Sequence, residues 1–227
     1  MLVVEKLFLL LTRDNGWANA GISHQDIALS AGLFSDLVLA GFIEIEESNK
    51  VQNSTIKALK MPPSADADPE LIVSGYQSLI ENPGITLEKL LRAPWFAQKN
   101  EIAYSLANQG VVTIGSNKFL GISWEKFPTV DKQPEESLRR RLAEILKGRT
   151  EATTQEALTL IILGEVGNIK VEFYKELDGT TFRDVNARVR ELGRKHFAPS
   201  NEYAIKAVRQ IVNSMVSVIS GSSFFIS

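Results

Sequence analysis

The sequence predicts a mainly α-helical protein that folds as a single domain with two small β-hairpins. Most of the chain places apolar residues at helical spacing, and no linker or low-complexity segment divides residues 1–227. Twice, a helical pattern ends at a glycine and is followed by alternating, strand-like residues. A chain of 227 residues can bury most of its apolar surface in one domain. We therefore expect a central apolar helix that is ringed by amphipathic helices.

The first two helices are predicted from their periodicity and their ends. Residues 3–12 are apolar on most sides, so they predict a short, buried helix. A second helix is predicted over residues 23–40, because polar residues typical of a helix start begin it and Gly41 follows it. Residues 42–52 alternate on both sides of the polar sequence ESNK, which predicts a first hairpin that turns there.

The middle of the chain repeats this order of helix, glycine and hairpin. Short helices are predicted near residues 70–81 and 86–92, and a longer helix around Ile102 and Leu106 closes at Gly110. The apolar segments VVTI and FLGI then flank the polar sequence GSNK. This pattern predicts a second hairpin whose turn is GSNK.

The last third of the chain is predicted to be helical. Residues 131–148 open with a proline and two glutamates and end at a glycine, which is the expected asymmetry of helix ends. Thr153 and Glu156 have capping-box spacing ahead of ALTLIILGEVG, which is apolar almost all round and predicts the central helix. An arginine-rich amphipathic helix is predicted over residues 180–196, and a last helix is predicted from Asn201.

The residue types needed for common catalytic and metal sites are scarce. The chain has no cysteine, which excludes a thiolate metal site and a cysteine nucleophile. His24 and His196 are the two histidines; they are far apart in sequence, and neither belongs to a nucleophile motif. No phosphate-binding glycine loop or calcium loop is present. We therefore expect no enzymatic activity, no metal site and no cofactor.

The charge distribution argues against nucleic acid and leaves two interpretations of the basic segments. The net charge is −2, so no global basic field attracts the protein to phosphate. The helix predicted at 23–40 has no lysine or arginine, which makes it a poor DNA reader, although helix, glycine and hairpin also describe a winged helix. Three consecutive arginines cannot all face one ligand, so we expect a solvated face for the run Arg139–Arg141. For the helix at 180–196 a solvated face is favoured, and an anion-binding surface is the alternative.

No apolar run in the sequence is long enough for a membrane span. The run LFLLL near the N-terminus and the run ALTLIILGEVG are both too short to cross a bilayer. We therefore expect a protein that is not integral to a membrane but is able to lie on one.

Six segments, in their order and spacing, resemble the Golgi phosphoprotein 3 family, including its bacterial members. The segments are EKLFLLLTRDNGW, GLFSDLVLAGFIEIE, LANQGVVTIGSNKFLGI, ESLRRRLAEILKG, TQEALTLIILGEVG and ARVREL. The resemblance implies a non-enzymatic, cytoplasmic protein that is peripheral at the membrane surface. Eukaryotic members of that family bind phosphatidylinositol 4-phosphate and act as adaptors that retain glycosyltransferases in the Golgi. An anionic phospholipid headgroup, a protein partner and a second copy of the chain are therefore the expected partners, and nucleic acid is not.

The resemblance also implies a headgroup pocket, and this chain retains it only in part. The family's tryptophan position falls on Gly21, and its three arginine positions fall on Ser30, Phe96 and Lys99, of which only Lys99 keeps a positive charge. Loss of the arginine donors is expected to weaken phosphate binding. Trp17 lies in the same loop, where a membrane-interface role and a packing role are both open.

The second hairpin carries the apolar residues Phe119, Leu120 and Ile122. In the resembled family an apolar hairpin mediates self-association and membrane contact. Docking on the core and an exposed edge of this kind both remain open for this chain. The expected function is that of a peripheral membrane adaptor; the alternative is a winged-helix-like nucleic-acid-binding or protein-interaction module with no lipid role.

Overall fold

Eight helices and two small antiparallel sheets make up the described part of the chain, which confirms the mainly α fold class. The computed structural model covers residues 1–17, 24–46, 54–58, 66–119, 122–166 and 179–196, with residues 64, 169, 173 and 175–177; for 117–119 and 122–124 only the backbone is described. The helices are α1 (Val3–Leu11), α2 (Gln25–Leu39), α3 (Glu70–Ile80), α4 (Leu87–Leu91), α5 (Lys99–Asn108), α6 (Gln133–Leu146), α7 (Thr154–Glu165) and α8 (Phe182–His196). The strands are β1 (Ile43–Glu46), β2 (Thr55–Ala58), β3 (Gly115–Phe119) and β4 (Ile122–Lys126).

Helices α1 and α2 pack against each other at an unusually close distance. A Cβ atom placed on Gly32 of α2 would lie 2.8 Å from the Leu7 side chain and 2.9 Å from the Cα of Val4, both on α1. Nearly all residues of both helices are buried. Helix α7, predicted to be central, is buried from Ala157 to Leu163 and packs on α1, α2 and α8, so it shares the centre with the α1–α2 pair.

The side chains of α2 satisfy the backbone at both ends of α1. The carboxylate of Asp36 accepts hydrogen bonds from the amides of Val3 and Val4, at 2.9 and 3.0 Å. At the other end, the Gln25 amide donates to the carbonyl of Leu11 at 3.1 Å. Helix ends carry amides and carbonyls that have no partner within the helix, and a negative charge is favourable at the N-terminus. These contacts also make the two helices antiparallel.

Further polar groups surround the N-terminus of α1. The buried carboxylate of Glu5 accepts hydrogen bonds from the Leu2 amide, from Ser105 and from Gln109, at 2.8, 2.7 and 2.6 Å. Lys6 donates to Gln155 at 3.0 Å, and burial lowers the pKa of its ammonium although the charge of Asp36 opposes this. Burial likewise raises the pKa of Asp36 to about 7, against the effect of its two amide donors. Buried polar groups of this kind need partners, and each of these has one.

Three helices end in the same glycine motif, as the sequence predicts. Gly41, Gly110 and Gly148 have φ angles of 76°, 75° and 72°, in the left-handed region that glycine adopts without strain. After α2, the Phe42 amide bonds to the carbonyl of Leu37 and the Gly41 amide to that of Val38, which is the Schellman pattern. The equivalent bonds follow α5 and α6.

The first hairpin is longer than the sequence predicts. Strand β1 pairs with β2 from Ile43 opposite Ala58 to Glu46 opposite Thr55, so the prediction that the hairpin is confined to 42–52 is wrong. The predicted turn ESNK, at 47–50, falls in the connection between the two strands. Residues 47–53 lie outside the described residues. The position of β2 is determined by distant contacts, because the Ile56 amide bonds to the Ile85 carbonyl at 3.2 Å just before α4.

The second hairpin is shifted along the chain from its predicted position. The sequence GSNK belongs to strand β3 and is not the turn; Gly115 pairs with Lys126 and Phe119 pairs with Ile122. Val111 and Val112 are instead buried, and Val112 bridges to Thr129. The Val112–Thr129 bridge has the same register as the pairing of β3 with β4, so the paired chain continues through GSNK and the predicted turn at GSNK is wrong.

The C-terminal helices agree with their predicted bounds. Thr153 and Glu156 form the predicted capping box, with the Thr153 amide 2.7 Å from the Glu156 carboxylate and the Glu156 amide 3.2 Å from the Thr153 hydroxyl. Helix α8 packs on α7 and α6, where Arg188 donates to the carbonyl of Ile145 at 3.0 Å. The helix predicted from Asn201 lies outside the described residues. Among the described helices, none has the length and hydrophobicity required to cross a bilayer.

Candidate functional site

Trp17 lies at the end of a tight loop and is exposed. The Gly16 amide bonds to the carbonyl of Arg13 at 2.7 Å, and the Arg13 amide bonds to the carbonyl of Trp17 at 2.8 Å. The Trp17 amide donates to the Asn15 side chain at 3.1 Å. Gly16 has a φ of +82°, and a Cβ atom there would lie 2.5 Å from the Phe127 amide nitrogen. The loop is therefore held by its own backbone and packed against the chain that follows β4.

The Trp17 loop is joined to the base of the second hairpin. The Thr129 amide donates to the carbonyl of Asp14 at 2.9 Å, and Lys132 forms an ion pair with the Asp14 carboxylate. The chain before β3 is joined to the same segment, since the Thr113 amide donates to the carbonyl of Pro128 at 3.0 Å. We call the exposed apolar side chains on these three connected segments the apolar trio; they are Trp17, Ile114 and Val130.

The ammonium of Lys99 is half-buried at the start of α5. Its Nζ atom lies 6.0 Å from the centre of the Phe8 ring, at cation–π distance. Burial lowers the pKa of Lys99, and the nearby Asp26 carboxylate raises it in part. The positive charge of Lys99, at one of the predicted headgroup-pocket positions, is therefore partly desolvated, and the negative charge of Asp26 partly compensates it.

The other positions assigned to the predicted pocket lie in the core. Ser30 is buried within α2, and Phe96 is buried edge-on to Trp95 with ring centres 6.0 Å apart. Gly21 lies outside the described residues. The structure thus brings Lys99 to Phe8 and Asp26, and it places Trp17 in a loop that packs on Phe127. Lipid binding by these residues stays a prediction.

The apolar tip of the second hairpin is described only in part. Phe119 ends β3 and Ile122 begins β4, and the two are paired across the sheet. Leu120 lies outside the described residues, as do the side chains of Phe119 and Ile122. The base of the hairpin is anchored on α5, because the Tyr104 hydroxyl lies 2.8 Å from both carboxylate oxygens of Glu125. The Tyr104 ring also meets Phe127 edge-on at 6.1 Å.

A polar pocket that the sequence did not predict lies beside the Trp17 loop. It has a volume of about 390 Å³ and is lined by Thr12, Arg13, Asp14, Asn15, Glu135 and Arg139. Its two arginines and two carboxylates balance in charge. The loop sequence RDNG was the available clue, but the contribution of α6 to the pocket follows only from the tertiary packing.

The three consecutive arginines of α6 point to different surroundings. Arg139 donates to Glu135 at 2.8 Å and lies 5.9 Å from the centre of the Phe173 ring. Arg141 binds Glu156 at 2.9 Å, whereas Arg140 is exposed. A solvated face therefore describes Arg140, but it is wrong for Arg139, whose side chain is turned inward. As expected from helical geometry, the three do not face one ligand.

The described residues offer no arrangement suited to metal binding, and helix α2 is not placed as a DNA-reading helix would be. They contain no group of three or more acidic or histidine side chains that is positioned to hold a metal ion. Helix α2 is buried from Gln25 to Val38, apart from Asp26, so it has no broad face to place in a DNA groove. The winged-helix alternative requires such a face.

The comparison with known families agrees with this architecture. The model of the family described as Golgi phosphoprotein 3 (GPP34) matches residues 3–215. The chain belongs to the Golgi phosphoprotein 3 family. The family match covers every element of the fold, from α1 to α8, and it includes Trp17, Lys99 and the second hairpin. A search of curated proteins gives no match.

Proposed function

We propose that this member of the Golgi phosphoprotein 3 family is a non-enzymatic, peripheral membrane adaptor of the cytoplasm. The observation that carries the proposal is the apolar trio, which exposes one aromatic and two aliphatic side chains on segments that are hydrogen-bonded to one another. Large apolar side chains grouped on a protein surface mark sites of contact with membranes or proteins. Family membership supports the same role.

The Trp17 loop suits a membrane interface physically. An indole ring is amphipathic and is favoured at the boundary between headgroups and acyl chains. The loop backbone is already ordered by its own hydrogen bonds, so little conformational entropy is lost when it docks. Covering the exposed halves of the three side chains contributes on the order of 2–5 kcal/mol. Such a contribution produces reversible binding, as a peripheral protein requires.

Phosphoinositide recognition in this chain is expected to be weak. Lys99 is the only cation among the pocket positions carried over from the family, and it lies beside Asp26. A single lysine lacks the bidentate geometry with which arginine holds a phosphate. We therefore propose binding to anionic phospholipid surfaces with little preference for phosphatidylinositol 4-phosphate.

Vesicle flotation tests this proposal directly. The full chain is floated with phosphatidylcholine vesicles, with vesicles that also contain phosphatidylserine, and with vesicles that contain phosphatidylinositol 4-phosphate. We expect flotation with both anionic compositions and a clear loss in Trp17→Ser. The matched control is Phe182→Ser, because Phe182 on α8 is 52% exposed and Trp17 is 51% exposed.

The outcomes separate the proposed function from its alternatives. If the wild-type chain floats with no vesicle, the membrane role is refuted and the protein-interaction alternative takes its place. If Trp17→Ser and Phe182→Ser reduce flotation equally, the apolar trio is not the contact. Strong preference for the phosphoinositide vesicles would show that the headgroup pocket is functional despite its substitutions.

A further inference from the structure

Helix α8 is a basic element on an acidic protein. It contains five basic residues and two acidic ones, a net charge of +3 with histidine neutral, whereas the whole chain carries −2. The remainder of the chain therefore carries −5. Charge that is concentrated on one element and opposite to that of its surroundings is a feature of association surfaces.

Three of the arginines form a straight row on the exposed side of α8. Arg183, Arg190 and Arg194 are exposed, and their spacing of seven and four residues places them within about 40° of one another around the helix. The row is about 16 Å long at the helical rise per residue. Val185 and Leu192 on the opposite side are buried against the core. We call Arg183, Arg190 and Arg194 the arginine row.

The acidic residues of α8 have hydrogen-bond or ion-pair partners nearby, whereas the arginine row interacts with one of them, Glu191, only through the charge of Arg194. Asp184 accepts hydrogen bonds from the amide and the hydroxyl of Thr181, at 3.3 and 2.6 Å, at the start of the helix. Glu191 pairs with Arg188 at 2.8 Å. Among the residues that the structure describes, no hydrogen bond or ion pair reaches any member of the arginine row.

The C-terminal segment of this chain is not acidic in composition. Residues 197–227 contain one acidic residue, Glu202, against the two basic residues Lys206 and Arg209. The geometry points to an acidic helix of a partner protein that lies along α8 and pairs its carboxylates with the arginine row.

A helix fits the row better than a bilayer or a nucleic acid does. A partner helix has the same rise per residue as α8, so carboxylates spaced by four and seven residues match the row in an antiparallel arrangement. Ala187 is also exposed between Arg183 and Arg190, and its small side chain lets a second helix approach. Three cations contribute only about 3 kcal/mol at an anionic bilayer surface, and they neutralise too few phosphates for tight nucleic-acid binding.

This surface is separate from the apolar trio and extends the proposed function. An adaptor needs one surface for the membrane and another for its protein partner. The apolar trio lies on the Trp17 loop and the hairpin base, whereas the arginine row lies on α8, which packs on α6 and α7. Membrane contact by the apolar trio and partner binding by the arginine row are tested in separate experiments. A negative result in one experiment therefore does not refute the other proposal.

The test uses fluorescence anisotropy with a labelled synthetic helix. The probe is an alanine-rich helical peptide with three glutamates spaced by four and seven residues, and its control carries glutamines at those positions. We expect the full chain to bind the glutamate peptide at low salt and to release it at about 0.5 M salt. The variant Arg183→Glu/Arg190→Glu/Arg194→Glu should bind at least about tenfold more weakly. Circular dichroism confirms that each variant is folded.

A second triple variant controls for the change in net charge. Lys89, Arg140 and Lys175 are exposed cations on other parts of the surface, and their replacement by glutamate changes the charge by the same amount. This variant should lose no more than about threefold in affinity. Equal binding of the two peptides, or equal losses in the two triple variants, overturns the proposal.

The two competing ligands are tested with the same proteins. Phosphatidylserine vesicles and a single-stranded oligothymidylate replace the peptide in parallel titrations. We expect the arginine row variant to bind vesicles as the control variant does. If vesicle or oligonucleotide binding depends on the row and peptide binding does not, the row serves that ligand and the acidic-helix proposal is wrong.

Discussion

Replacing Gly32 by alanine tests how the core of this protein is assembled. The added methyl group would lie 2.8 Å from the Leu7 Cδ1 atom and 2.9 Å from the Val4 Cα atom. Carbon atoms pack at about 3.5–4.0 Å, so α1 and α2 would have to separate by about 0.6–1.1 Å. Alanine is better than glycine within a helix by about 1 kcal/mol, whereas overpacking of a core costs about 1–3 kcal/mol or more. Because a backbone atom blocks the site, we expect the overpacking cost to lie at the upper end of this range and the net destabilisation to be about 1–2 kcal/mol.

The matched control for this substitution is Gly193→Ala in α8. A Cβ atom at Gly193 would find its nearest neighbour, the Ile161 Cδ1 atom, at 3.8 Å, which is an ordinary contact. The same chemical change should therefore stabilise the protein there by up to about 1 kcal/mol. Urea unfolding followed by circular dichroism compares the midpoints and slopes of both variants with wild type. If Gly32→Ala is as stable as wild type, the close approach of α1 and α2 does not limit the packing.

Two further predictions concern the buried carboxylate and the hairpin anchor. Because burial raises the pKa of Asp36 from 3.8 to about 7, the folded chain binds more protons than the unfolded chain between these values, and this group's stabilising contribution is lost as pH rises through about 7. The difference in unfolding free energy between wild type and Asp36→Asn should therefore fall from pH 5 to pH 8 in urea titrations; a constant or rising difference contradicts the assignment. Tyr104→Phe removes the hydrogen bonds to Glu125 and should speed amide exchange in β3 and β4 while changing global stability by less than about 1 kcal/mol. Unchanged exchange in those strands would show that Tyr104 does not anchor the hairpin.

The position of Asp36 shows how a buried charge serves this fold. The acidic residue precedes Gly41 in the sequence, and its carboxylate reaches the first two amides of α1, more than thirty residues earlier. Desolvation disfavours the charge, but the amides and the N-terminal end of the helix dipole partly offset that cost. Gln25 on the same helix serves the opposite end of α1. One helix therefore determines both the direction and the position of its neighbour.

The candidate site was predictable only in part. The exposure of Trp17 agrees with its place in a polar loop, and the basic character of α8 is visible from its composition. The burial of Ser30 and Phe96 was not visible, because a residue's depth depends on which elements cover it. The sequence of three consecutive arginines does not show that the Arg139 side chain points toward the protein interior. That orientation depends on Phe173, which lies far along the chain.

The sequence alone determined where the helices of this protein begin and end. Glycine adopts a left-handed conformation without strain and a threonine–glutamate pair caps a helix within one turn, so Gly41, Gly110 and the Thr153–Glu156 pair act through local geometry. Tertiary structure alone decided the register of both hairpins, because a polar run such as GSNK fits a turn and a strand equally well until pairing with a later segment, from Val112 opposite Thr129 onward, places it in a strand. It also decided that the arginines of α8 form one exposed row, since the side of a helix that faces solvent depends on what packs against the other side.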